Sequence, residues 1–120
     1  MFTHNFTRSW SGGGNSVTAT VGVEGRAEGN IDDEFPAGEA REIPFACDFA
    51  KLKSLFIIST AAVSLKAGVA IFELEAGKPL AWMRADGALR DASGQEVTGK
   101  IEALTATAEA EGKIQIRSLT

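Results

Sequence analysis

The side chains able to do chemistry are few in this chain, and none stands beside a partner. There is one histidine, His4, and one cysteine, Cys47. A histidine working as a general base needs an orienting group and a nucleophile within reach. Phe2, Thr3, Asn5 and Phe6 flank His4 and mark neither. Cys47 alternates with Ile43, Phe45 and Phe49, the position of a small core residue. Its neighbour Asp48 has the wrong sign to stabilise a thiolate. One Cys and one His fall short of the usual four zinc ligands. The cluster Asp32-Asp33-Glu34, with Glu28 nearby, could offer oxygens to calcium but lacks the twelve-residue loop pattern. A solvated acidic turn is the simpler reading, and the sequence leaves ion binding open. Gly12-Gly13-Gly14 lacks the Lys-Ser/Thr ending of a phosphate-binding loop. No cofactor and no metal are expected, and catalysis is not expected either. Trp10 and Trp82 remain. Exposed tryptophans can present a ring for stacking. Trp82 follows the turn at Pro79, so a rim position is open to it beside the simpler reading of core packing.

The elements that must carry these residues are strands. From Phe2 to Trp10 the chain alternates without a break, with Phe2, His4, Phe6, Arg8 and Trp10 on one face. After a glycine-rich segment, expected to be a long flexible loop, Val17, Ala19, Val21 and Val23 alternate in the same way, which reads as a hairpin. Asn30 to Phe35 suits another short strand. Ile43 to Phe49 alternates around Pro44, which cannot donate to a ladder and so points either to a sheet edge or to a strand that begins near Pro44. The segment 49–53 is expected to form one short helical turn, with Asp48 as its cap. Leu55 to Ile58 and Val69 to Glu75 are apolar on both faces and are expected to be strands buried on both sides. Leu80 to Met83 follows a turn, residues 84–96 read as a surface loop, and Ile101 to Thr107 and Lys113 to Leu119 are the last strands. The expectation is an all-β, β-sandwich or jelly-roll-like fold of about 8–10 short strands, forming one domain over 1–120. Residues 1–10 are either a strand of the domain's own sheet or an arm that docks on a neighbour.

Composition bounds the function classes. The 120 residues carry a net charge of −4 and are 44% hydrophobic. That is ordinary for one globular domain. An acidic surface without clustered Lys and Arg repels a phosphate backbone, so nucleic acid is not an expected partner. No apolar run approaches a membrane span. Met1-Phe2-Thr3-His4-Asn5 lacks the basic and apolar regions of a secretion signal, so a reducing compartment is expected.

The order of Ile43-Pro44-Phe45, residues 48–55 (Asp48-Phe49-Ala50-Lys51-Leu52-Lys53-Ser54-Leu55), Ile57-Ile58-Ser59, residues 74–82 from Leu74 to Trp82, and Ile114-Gln115-Ile116-Arg117 resembles small head-decoration (cement) proteins of tailed bacteriophages, many of them jelly rolls. The resemblance covers about two thirds of the chain and brings no catalytic residues. It implies a virion structural protein, made in a host cytoplasm and located on the capsid surface. Its partners would be the major capsid protein and further copies of itself in an oligomer such as a trimer. Phe2, Phe6, Trp10 and Trp82 are the candidate partner-binding residues. A carbohydrate-binding or adhesion module of a tail or fibre is the alternative, and a small jelly-roll enzyme the second alternative.

Overall fold

The computed structural model describes residues 1–120. Ten strands follow one another: β1 (Phe2–Gly12), β2 (Asn15–Gly25), β3 (Glu28–Phe35), β4 (Arg41–Asp48), β5 (Ser54–Ser59), β6 (Val63–Ala67), β7 (Ala70–Leu74), β8 (Leu80–Met83), β9 (Lys100–Thr107) and β10 (Gly112–Leu119). Two four-stranded antiparallel sheets, ordered β3-β10-β5-β8 and β4-β9-β6-β7, pack face to face as a sandwich. β1 and β2 form a separate two-stranded ribbon.

Period-two patterning builds the core. In β5, Leu55 and Ile57 are buried while Phe56 and Ile58 are half-buried. In β10, Ile114 and Ile116 point inward, Gln115 is exposed and Arg117 is half-buried. These side chains meet Ile43, Leu65 and Leu104 from the facing sheet in one cluster of 22 buried residues. Each such fully buried Leu or Ile contributes roughly 1.5–3 kcal/mol relative to leaving it in water. Except for the β6–β7 hairpin, consecutive body strands from β3 to β10 lie in opposite sheets. The links therefore gather at the two ends of the sandwich. One end holds residues 26–27, 49–53 and 84–99; the other holds 36–40, 60–62, 75–79 and 108–111.

β4 is an edge strand, a position that tolerates a residue without an N–H, and its register with β9 shifts between Pro44 and Cys47. Cys47 faces the core, free and buried. Four expectations need correction. Residues 49–53 are a non-helical turn, held by Ala50 N–H donating to Asp48 Oδ1 at 3.1 Å. The only helical turn is the 3-10 segment Arg84–Asp86. The loop between β1 and β2 is tight: Gly13 and Gly14, with φ of 55° and 81°, make a two-residue turn of the primed kind that matches strand twist. The segment around Ile71 is not buried on both faces, because β7 is an edge strand with Ile71 exposed and Val69 lies in solvent beside it. β5 is interior to its sheet, yet its outer face is only partly covered. The cover there is the ribbon.

Candidate functional site: a hairpin arm laid across one sheet

Residues directly opposite in an antiparallel pair share a face. The β1–β2 register sets Phe2, His4, Phe6, Arg8 and Trp10 opposite Gly25, Val23, Val21, Ala19 and Val17. One face of the ribbon is thus largely apolar. The other is lined by Thr, Ser and Asn, with Thr7 Oγ1 and Thr20 Oγ1 3.0 Å apart.

The apolar face lies on the outside of the β3-β10-β5-β8 sheet. Register places Glu28, Leu119, Ser54 and Met83 in one row across its four strands. His4 Nε2 lies 2.9 Å from Glu28 Oε2, and Arg8 Nη2 donates to Asp86 Oδ2 at 2.9 Å, just past β8. Four residues of extended chain rise about 14 Å, which is the width of three strand spacings. β1 therefore crosses the sheet along this row, from His4 at one edge to Arg8 at the other. Phe6, midway between them, is buried, as are Leu119 and Met83. None of these three belongs to the main core. Leu119 and Met83 are thus buried on the outer side of the sheet, the side that the arm covers. Ser54 Oγ, in the same row, is buried without a hydrogen-bond partner, an unfavourable state for a hydroxyl.

Attachment is by side chains. Neither β1 nor β2 shares a ladder with the body. The link at Arg26 and Ala27 is pinned to Thr120: both N–H groups donate to its carbonyl oxygen, at 2.8 and 3.2 Å, and Thr120 N–H donates to Ala27 O at 2.9 Å. Beside β1, a groove of about 520 Å³ runs over Phe56, Pro79, Ala81 and Arg117. The hydrogen bond from Arg8, with a second from Met83 N–H, holds the Asp86 carboxyl below the usual carboxylate range.

Beyond Arg8 the ribbon overhangs the β8 edge. Trp10 is 59% exposed and its cross-strand partner Val17 is 63% exposed. Phe2 and Val21 are exposed as well.

Of the candidate residues, Phe2, Phe6 and Trp10 share this face, with Phe6 committed to the chain's own sheet and the other two open to solvent. Trp82 stands apart. It is 9% exposed, packs in the core, and its indole N–H donates to Gly87 O at 3.0 Å. A rim position for it is overturned, because inward alternation in β8 turns its ring between the sheets. The acidic cluster is divided by the strand that carries it: Asp32 pairs with Arg117 at 3.0 Å and Asp33 with Arg41 at 3.3 Å. No three His, Cys, Asp or Glu side chains converge in a way that could hold a metal ion. Asp91 Oδ1 accepts from Ser93 and Gln95 N–H groups, and its Oδ2 accepts from Ile71 N–H, which closes the β7 edge. Sequence reasoning missed Glu28 and Asp86 as arm anchors. The one available signal was charged Arg8 set among aromatic residues on an alternating face. No helix is long and apolar enough to cross a membrane. Comparison of the chain with known protein families, curated proteins and solved structures finds no match.

Proposed function

We propose that this protein is a non-catalytic assembly module that docks on a protein shell through its β1–β2 arm. On the resemblance of residues 43–60, 74–82 and 114–117, it acts as a head-decoration protein of a tailed phage. In this reading it binds the major capsid protein and further copies of itself on the virion surface, and the sandwich is a jelly-roll relative. One observation carries the docking mode: the distal arm holds Trp10 and Val17 side by side on one face with no part of the chain over them. Large aromatic side chains in such a position act as anchors when a partner removes them from water. The free ribbon edges add backbone groups for strand addition.

The test is co-sedimentation with undecorated capsids. The parent chain binds, and Trp10→Ser weakens binding by about 2 kcal/mol or more, the loss typical of an interface anchor. A parent chain with no capsid affinity overturns the reading. The exposed Trp10 ring also favours a second reading, a sugar-stacking adhesion module. Glycan-array binding lost in Trp10→Ser would support that reading in place of the first.

A further inference from the structure

The two ends of the sandwich carry opposite charge. At one end, Arg26, Lys51, Lys53 and Arg84 line a single open hollow of about 390 Å³ together with Ala50 and Thr120. None of the four is in an ion pair with a carboxylate. Arg84 is fixed there, with Nη2 donating to Ala50 O at 3.0 Å and also to Leu52 O. Of the acids close in sequence to these four, Glu28 is paired with His4 and Asp86 with Arg8, while Glu24 and Asp48, the latter lining a neighbouring hollow with Lys51, make no ion pair. Glu96 borders a neighbouring hollow that Arg84 also lines, but makes no ion pair. A carboxylate on Thr120 would offset one of the four cations and leave three. For a chain of net charge −4 this is a concentrated exception.

The opposite end is acidic. Links 36–40, 75–79 and 108–111 carry Glu39, Glu75, Glu109 and Glu111, and the only cation in these links, Lys78, is held by Glu75 at 2.7 Å. Gly38 N–H donates to Ala108 O at 2.8 Å, which ties the Glu39 and Glu109 loops together. Glu39, Glu109 and Glu111 are exposed and unpaired.

We infer that copies of this chain associate head to tail, the hollow of Arg26, Lys51, Lys53 and Arg84 in one copy receiving the Glu39, Glu109 and Glu111 end of the next. Charge complementarity between the ends supplies attraction and polarity. An isologous pair meeting end on would set like against like. A contact between two different patches is heterologous, so it propagates into a ring if the rotation closes and into a filament if it does not. The inference is independent of shell docking, because the arm residues Trp10 and Val17 take no part in it.

Light scattering and sedimentation of the full chain at about 20 mM and about 500 mM salt test it, since the screening length falls from roughly 20 Å to about 4 Å over that range. The expected result is concentration-dependent assembly at low salt, weakened at least about tenfold at high salt. Lys51→Glu with Lys53→Glu abolishes it, as does Glu109→Lys with Glu111→Lys. An equimolar mixture of these two variants assembles again, which a folding defect could not produce. A parent chain that stays monomeric at low salt, assembly indifferent to salt and to both reversals, or a mixture that stays monomeric would each overturn the inference. A monomeric parent that binds polyglutamate through Lys51 and Lys53 would overturn it in favour of a different acidic partner. Capsid co-sedimentation of Lys51→Glu with Lys53→Glu reads the arm separately, so failure of self-association and failure of shell docking are distinguishable.

Discussion

At the residue scale, Cys47 is engaged in core packing and His4 in a contact with Glu28. Cys47 lies among the core strands, where burial first and the negative charge of Asp48 second push its thiol up from 9.0 to about 11. The unfolded chain loses this proton from about pH 9, while the folded chain keeps it until about pH 11. Stability is therefore fully present below about pH 9, falls as pH rises between these values, and levels off above them. Cys47→Ser, which cannot ionise there, should show a shallower alkaline loss in denaturant titrations from pH 8 to pH 11. The native thiol should also react slowly with a thiol reagent at pH 8 and quickly once the chain is unfolded, because only the thiolate attacks. His4 is held by Glu28 and anchors the arm.

At the element scale, the arm is the least firmly held part of the chain. Its two strands hydrogen-bond only to each other, and a two-stranded ribbon is marginal alone in water. Its seat depends on Gly25, where a Cβ would come within 2.6 Å of Leu119 Cγ and 2.7 Å of Thr120 O. The second contact is backbone, so the arm itself must shift. Gly25→Ala should cost about 1–3 kcal/mol, the usual range for overpacking. Thermal unfolding would measure this, and faster proteolysis within residues 1–25 should accompany it. In native-state hydrogen exchange, the amides from Ser9 to Thr18 should exchange well before those of β5 and β10, since local opening of the overhang exposes no core.

At the scale of the whole molecule, stability resides between the sheets. β10 pairs with β3 and β5 and joins the sequence-distant β3 to its sheet, with Ile114 and Ile116 fully buried. Ile116→Ala should cost about 2–5 kcal/mol in denaturant unfolding, through lost burial plus a residual cavity. A much smaller loss would show that the interior collapses around the deletion. Because consecutive strands mostly lie in opposite sheets, few contacts are local, and folding should be slower than for a helical chain of equal length. The same crossing topology collects the links at the two ends. That arrangement brings Arg26, Lys51, Lys53 and Arg84 together, although 58 positions separate Arg26 from Arg84 (84 − 26).

Alternation along the chain was enough to place most of the strands and the inward side of Cys47. Both rest on the two-residue period of an extended backbone, which a local stretch of residues already contains, while the edge among the positions open to the Pro44 strand came from the missing N–H of that one residue. The same local signal could not tell a strand buried on both faces from an edge strand, as at Ile71, nor an inward tryptophan from a rim one, as at Trp82. Those outcomes depend on which strand pairs with which. The arm shows the division most sharply. Its apolar face was legible from Phe2 to Trp10, but its place was not, because Glu28 and Asp86 lie 24 and 78 positions from the residues they hold. Only the tertiary structure could decide that Phe6 is consumed by the chain's own sheet while Trp10 is left in solvent. The separation arises because β1 crosses a sheet only four strands wide, and Trp10 lies beyond the last of them.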